Sequence, residues 1–560
     1  MTPDDPSNPK SHKTLRKIWK KLRADVRRRP EAMKLPQHIL ERVERLHSYH
    51  QRSKVIASGA RPAPPEDPAL RPAGFRVFTE CPKVALPTSL LDAPGGAITL
   101  LSAGQDALPD SFRAPPQDLK TLASWLYYAA GETARMAGTR RVYSRALPDP
   151  EAMSAVEIYV AAFAIEGLDP GLYHFCPREF ALRQLRKGSG ALLQIRKGRP
   201  DLEFLKILPA ALLVSGCYAR SVWRWGRRGY RALLTDVGQM VQNLTLAGAG
   251  VGVQTMARLR LNDLTMRDLI GLAPEEPPAT AEAVHAMVAW ADPATKPIEL
   301  PPGAGAPAMT PIARARLSEA LPMSDEVGTE LLYVHQDCAA PGVAVQQIRP
   351  PLTELCPLPA THVAAPISVD KEPSGGLPVR QVLMDRKPAP QLLKRAIARP
   401  DLLALNRVAM RGGSYFPMFP EGPHLAMVRP FWIVQDVSGI ERGLWYYHPP
   451  KDAWHLLSTG QYRREAKYIA GDRDTFGDAP AVCVLTANLH TLMTQGGPDT
   501  YRLAHLEAGI AGQRIYLAAS SLGLACNVAP DFYDEDARAF FGLNKTGWEA
   551  LGVIGVGYRA

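Results

Sequence analysis

The chain repeats itself, and that limits its fold more than any other feature. GLDPGLYHFCPREFALRQL (167–185) aligns with GIERGLWYYHPPKDAWHLL (439–457) at an offset of 272. Gly171 meets Gly443, Tyr173 meets Trp445 and Pro177 meets Pro449. Further on the offset is 271. Tyr230-Arg231 meets Tyr501-Arg502, Asp236 meets Glu507, Gly238 meets Gly509, and Gln242 meets Gln513. Gly252 then meets Gly523, Asp263 meets Asp534, and Gly271-Leu272 meets Gly542-Leu543. Glycines and acids that stay in step over about 60 residues mark two copies of one folding unit.

Each copy has the same order of patterns. A helix comes first (LKTLASWLYYAAG in the first copy), then an irregular loop and a β-rich segment (VEIYVAAFAI; PFWIVQDV). A turn and strand (GLYHF; GLWYY) and a buried strand (AALLVSG; AVCVLTA) follow. Next is a long helix, RGYRALLTDVGQMVQNLTLAGAGVG or TYRLAHLEAGIAGQRIYLAASSLG, and a short helix and last strand close the unit. The long helices carry small residues in their middles, among them Gly238 and Gly509. These either pack the core of one copy or let the two helices meet as an intramolecular pseudo-dimer. GAGVG at 248–252 lies late in a helix pattern and reads as packing rather than as a dinucleotide-binding turn.

A chain of 560 residues with 46% apolar and 22% charged residues can bury a large core. It contains no uncharged apolar run long enough for a membrane span. The start, MTPDDPSNPKSHK, lacks the apolar region of a signal peptide, and the odd cysteine count without C-x-x-C pairs fits a reducing cytoplasm, the location expected. Seven cysteines, none in a C-x-x-C pair, point away from a disulfide framework and from zinc; no metal is expected. The net charge of +11 is concentrated early: residues 1–60 hold 15 Lys/Arg and 6 Asp/Glu, or +9. The nearly neutral body gives no reason to expect nucleic acid as a partner.

The expected organisation is a basic helical N-terminal region (1–56), a Pro-rich lead-in (57–117), a first domain (118–291), a Pro-rich linker (292–377) and a second domain (378–560). In KTLRKIWKKLRADVRRR (13–29), Leu15, Ile18, Trp19, Leu22 and Val26 fall at helical spacing with a basic opposite face. The segment reads as a helix for a membrane surface or an acidic partner, or as a solvated arm packing its one stripe on the body. Inside the linker, TELLYVHQ (329–336) reads as a strand.

SYHQRSK (48–54), RPAGFRVFTECPKVALP (71–87), LASWLYYAAGET (122–133), GLDPGLYHF and RRGYRALLTDVGQMVQNLTLAGAGVG (227–252) occur in an order that resembles the nitroreductase-like flavin superfamily. Within it the chain is similar to azoline dehydrogenases of the streptolysin S/thiazole-oxidase type. The resemblance implies an α+β fold, here present twice, with FMN held where two such units meet. It also implies removal of two hydrogens from a thiazoline or oxazoline in a ribosomally made peptide, giving the azole. That chemistry needs a hydride acceptor, a base for the other hydrogen, and cationic groups for the FMN phosphate.

By the same resemblance, Arg140, Arg141 and Arg145 in TRRVYSR lie where the family places its arginine before the flavin loop, and Arg411 occupies a comparable stretch in the second copy. The family's Pro-Ser-x-Gly loop, ending in Tyr-Pro or Gln-Pro, becomes PDPEAMSAVEIYV in copy one, with Ser154-Ala155 at the close. In copy two it becomes PHLAMVRPFWIV, with His424 for Ser and Arg429-Pro430 closing it. The family's Lys-Tyr catalytic pair is replaced by Arg224-Trp225. Arginine keeps its proton and an indole only donates, so this pair makes a fixed cation and a stacking surface rather than an acid–base couple. His174, His424 and His505 are other candidates for a base.

Three functions remain open. One is an FMN-dependent dehydrogenase acting on a peptide, working alongside other biosynthetic enzymes. The second is an FMN-dependent reductase of a nitro or quinone compound, which needs no base. The third is a catalytically degenerate scaffold or peptide-binding subunit. Neither the substrate's identity nor a further oligomer is fixed by the sequence.

Overall fold

In a computed structural model the protein is described over residues 36–57, 72, 74, 76, 78–103, 115–137, 140–145, 154–188, 208–271, 282–290, 325–339, 374–386, 388–410, 427–449, 452–544 and 546–560. The basic segment 13–29, Arg411 and His424 lie outside these residues.

The first half contains helix α1 (Gln37–Arg52), strand β1 (Lys83–Ala85), helix α2 (Leu119–Ala130) and a hairpin of β2 (Glu132–Ala137) and β3 (Arg140–Arg145). Strands β4 (Val156–Ala162), β5 (Gly171–Cys176), β6 (Ala181–Lys187) and β7 (Ala210–Cys217) follow. After them come α3 (Tyr218–Trp225), the long α4 (Gly229–Gly250), β8 (Thr255–Arg258), α5 (Asp263–Leu269) and β9 (Glu282–Trp290). Asp118 caps α2 by accepting from the Thr121 amide, which satisfies one of the donors a helix start leaves open.

Helix α6 (Asp325–Asp337) stands between the halves. The second half runs β10 (Leu392–Leu393), α7 (Arg399–Met410), β11 (Arg429–Val434), β12 (Gly443–His448), β13 (Ala453–Thr459) and β14 (Ala481–Asn488). The long α8 (Asp499–Ser521), β15 (Ala525–Ala529), α9 (Asp534–Phe540) and β16 (Trp548–Arg559) complete it. The architecture is mixed α/β, with two antiparallel sheets.

The two sheets share one strand order. The first reads β6-β5-β4-β7-β9-β8 and the second β13-β12-β11-β14-β16-β15, with β1 and β10 added at non-equivalent places. The likeness reaches the backbone. Phe180 and Asp452, which are 272 apart, both take positive φ (44° and 48°) at the same hairpin turn, a conformation costly for any side chain. Gly252 and Gly523, which are 271 apart, close the two long helices with φ of 82° and 73°.

Both long helices are buried on nearly every face, although each carries charged and amide side chains among its apolar ones. They cross at two glycines. A Cβ on Gly238 would overlap the Leu506 carbonyl oxygen and stand 3.0 Å from Gly509 Cα. One on Gly509 would overlap the Thr235 carbonyl. Leu506 and Thr235 are themselves 271 apart, so the contact is reciprocal, as at a two-fold interface. The late glycines of α4 serve packing: Gly248 lies against Trp125, whose indole N–H donates to the Leu244 carbonyl at 2.7 Å.

TELLYVHQ is helical, part of α6, and not a strand. Leu331, Val334 and Cys338 are buried while Tyr333 is 62% exposed. That is helical spacing, and it overrides the short apolar run that suggested a strand.

Candidate functional site at the crossing of the long helices

Polar groups cross the interface in matched pairs. Gln513 donates to Asn243 Oδ1 at 2.7 Å, and Arg514 donates to Gln242 Oε1 at 3.3 Å. Under the 271 offset each bond maps onto the other. Asn243 also donates to the Ala129 carbonyl in α2, and Arg514 to the Val408 carbonyl in α7, so each long helix is tied to the end of a shorter helix of its own half.

Ion pairs are exchanged likewise. Arg502 of α8 donates to Asp263 at the start of α5 at 2.6 Å. Its equivalent, Arg231 of α4, donates to Asp534 at the start of α9 at 2.6 Å, where Arg228 adds a second bond at 2.6 Å. Burial alone would raise the Asp534 pKa, but Arg228 and Arg231 outweigh it and hold it at about 2. Asp534→Asn leaves two guanidiniums in the core without a counter-charge. We expect a loss of about 3–5 kcal/mol in unfolding free energy, read from denaturant titration. A loss under about 1 kcal/mol would mean that water reaches the pair.

Tyrosines beside these arginines reach the flanking helices. Tyr230 Oη lies 3.1 Å from Nδ1 of His335 on α6, and Tyr501 Oη lies 3.0 Å from Nδ1 of His50 on α1. The sequence reading passed over both histidines. A signal was present: each is followed by glutamine, in YHQ and VHQ, and each precedes one copy of the repeat.

Arg224 and Trp225 are the last residues of α3, which stops at Gly226 with φ of 52°. The Arg224 guanidinium sits over the Trp225 ring, 5.0 Å from its centroid. A half-buried cation on an indole suits an anionic or planar group. Arg429 begins β11, is 1% exposed and donates to the Val428 carbonyl at 2.9 Å. Just before it, the Met427 and Val428 amides both donate to Glu507 of α8, at 2.8 and 2.7 Å. Arg140, Arg141 and Arg145 lie on β3, and their side chains are outside the described residues.

Sheet register corrects the pairing of the two loops. Arg429 stands opposite Thr486, and Glu157 stands opposite Ser215. Thr486 and Ser215 are 271 apart. The first-copy counterpart of Arg429-Pro430 is therefore Glu157-Ile158, and not Ser154-Ala155. Glu157 is buried, accepts from Arg220 at 2.5 Å and sits 3.0 Å from His174 Nε2. A cation in one half thus corresponds to an internally paired carboxylate in the other.

His174 is consumed by this pair. His505 is buried, with Nδ1 2.9 Å from the Tyr501 carbonyl, and burial followed by Arg231 lowers its pKa to about 3. Neither histidine faces an open site.

Residues 433–558 match the nitroreductase family model. A protein of Methanocaldococcus jannaschii assigned as a nitroreductase is 30% identical over 112 residues, which is 20% of this chain and 57% of the relative. The chain thus spans little more than half the length of that curated relative. A crystal structure assigned as a nitroreductase from Anabaena variabilis superposes with a TM-score of 0.69 at 22% identity, covering 92% of this chain and 99% of the other. A structure of the E. coli microcin synthetase complex with a truncated precursor bound aligns over 31% of this chain and 70% of that one, at 18% identity and a TM-score of 0.28. Residues 433–558 form a nitroreductase-family domain, and the chain shares the fold of the Anabaena protein.

Proposed function

We propose that the chain is an FMN-dependent oxidoreductase built from two nitroreductase-like units that pair as an intramolecular pseudo-dimer. Its substrate is an azoline in a ribosomally made peptide, which loses two hydrogens to become an azole. The observation that carries the reading is the reciprocal crossing at Gly238 and Gly509, with its exchanged Arg–Asp pairs. It supplies within one chain the kind of two-unit interface at which the resemblance expects the flavin. The nitroreductase-family match of the second half supports the same reading.

Bound FMN would supply a hydride acceptor. Arg429 fits a flavin carbonyl or phosphate, being a buried guanidinium at the close of the loop. The Met427 and Val428 amides do not contribute to a cradle, because Glu507 already takes both. Arg140, Arg141, Arg145, Arg411 and His424 are proposed to complete the cofactor contacts. Arg224 and Trp225 hold a planar or anionic part of the substrate and take no proton.

A second reading, a scaffold without catalysis, is favoured by Arg224-Trp225 and by the neutralised Glu157. An absorbance spectrum of the purified protein, with released flavin identified and counted, separates the two. We expect flavin bands and about one FMN per chain, one site per pseudo-dimer interface. Colourless protein that takes up no added FMN leaves the scaffold. Turnover of nitro or quinone compounds with NAD(P)H, without azoline oxidation, would replace the dehydrogenase by a reductase.

A further inference from the structure

The crossing of the long helices would serve equally well for two copies of the same half. Arg231 meets Asp534 and Arg502 meets Asp263, so each half brings one arginine and one aspartate. Gly238 and Gly509 match in the same way. Two first halves, joined by the same two-fold, would set Arg231 of one against Asp263 of the other. Contacts of this self-complementary kind hold units together without choosing between them.

Helices α1 and α6 are different. His50 and His335 take equivalent places under the two-fold, each against the tyrosine of a long helix. They are 285 apart, so Arg45 corresponds to Glu330 and Arg52 to Asp337. The two helices lie against each other in opposite directions. Arg45 holds Asp337 through two bonds, at 2.9 and 2.7 Å, and Arg52 meets Glu330 at 2.6 Å. Each ion pair is therefore the image of the other, with the signs exchanged. Two helical turns separate the paired positions on each helix, which puts both on one face. All the positive charge of this contact comes from α1 and all the negative charge from α6.

Identical helices could not pair in this way. The two-fold sets position 45 of one helix against position 52 of the other, so an identical pair needs opposite signs at those two positions. Here α1 has arginine at both, and α6 has a carboxylate at both. A second α1 in place of α6 would bring Arg45 against Arg52 twice over, and a second α6 in place of α1 would do the same with Glu330 and Asp337. Arg227 sharpens the choice. It donates to Glu330 at 2.6 Å, and its own counterpart in the second half is Pro498. In a pair of first halves Arg227 would face Arg45 instead. The Arg45 and Arg52 side chains are 56% and 49% exposed, so the pairs add little to stability. Their consequence lies in what they refuse, because like charges set across an interface exclude the wrong partner.

We propose that α1 and α6 form a charge-coded interaction surface that fixes partner choice. The Arg45 and Arg52 face of α1 accepts an antiparallel acidic helix with carboxylates two turns apart, which this chain supplies as α6, and rejects the α1 of a second copy. The chain thereby closes its first half on its second. The inference rests on the pairing of the two units read above, and on neither the flavin nor the substrate.

The test uses full-length chains. Arg45→Glu with Arg52→Glu makes all four positions acidic, and Glu330→Arg with Asp337→Arg makes all four basic. The fourfold variant exchanges the signs and restores both pairs, losing only the Arg227 contact. Both double variants should have lower denaturant midpoints than wild type, and the fourfold variant should recover about half of the loss or more. Losses that simply add in the fourfold variant overturn the proposal. Partner choice is read by unfolding the two double variants, one of them tagged, and refolding them alone and as an equimolar mixture. Light scattering gives the mass, and the tag reports the composition. In the mixture each chain finds opposite signs only on the other variant. Two-chain particles containing both variants should exceed those containing one variant twice by at least about tenfold. Mixed particles in no more than statistical proportion, or none, overturn the proposal. Both readouts are independent of bound flavin, so colourless protein removes the flavin reading and not this one.

Discussion

Gly509→Ala is expected to lower the unfolding free energy by about 2–4 kcal/mol, while Gly512→Ala, on the same helix, stays within about 1 kcal/mol of wild type. Both positions are buried, and alanine is the better helix former at each. Only the space differs. A Cβ at 509 would overlap the Thr235 carbonyl, with Thr235 Cα at 3.0 Å, and neither backbone can yield without moving a helix axis. A Cβ at 512 would meet Ile554 Cδ1 at 3.4 Å and Leu485 Cδ1 at 3.9 Å, which is ordinary contact. Gly238→Ala should match Gly509→Ala, since it closes the same crossing from the other side. Denaturant unfolding of the three variants provides the comparison. Equal losses at 509 and 512 would show that the crossing is looser than the glycines require. Under the proposed function, Gly238→Ala and Gly509→Ala should also lose flavin, and Gly512→Ala should not.

Mild acid should unfold the protein well before its carboxylates titrate. Burial lowers His335 to about 4, and burial followed by Arg231 lowers His505 to about 3. His50 and His285 are also held well below the ordinary value by burial. In the unfolded chain each titrates near ~6.5. Below that pH the unfolded state takes up protons that the folded state refuses. Stability is therefore full above about pH 6.5 and falls toward about pH 4 for His335 and about pH 3 for His505, by roughly 2 kcal/mol per histidine at pH 5. Asp534 adds its loss later, as pH falls from its unfolded value to about 2. Unfolding midpoints measured from pH 8 down to pH 5 should drop steeply, and His505→Leu should flatten the slope. A midpoint that is level across this range would mean that these rings are solvated.

The sequence made much of the fold legible because two copies reported on each other. A pattern in one half was checked by the other at an offset of 271 or 272, which gave the order of helices and strands along each unit, while the order of the strands within each sheet came from the structure. The helix α6 was misread because nothing near 325–337 lies inside the aligned repeat, and LLYV taken alone has the look of a strand. The loop comparison at Ser154-Ala155 followed the family's loop pattern rather than the repeat, whose offset of 272 or 271 points from Arg429 to Glu157 or Ile158. One rung of the ladder, Glu157 against Ser215, settles it.

For the site, the sequence determined which residue types were on hand. Arg224-Trp225 falls where the resemblance expects an acid–base pair, and arginine keeps its proton in any tertiary setting. Tertiary structure decided the partners: Arg231 with Asp534, Arg502 with Asp263, Tyr230 with His335 and Tyr501 with His50. The repeat could mark those residues as equivalent but could not say that each arginine crosses to the other half. That choice depends on two helices meeting at Gly238 and Gly509, where the absence of two Cβ atoms lets the backbones touch and carries each side chain across.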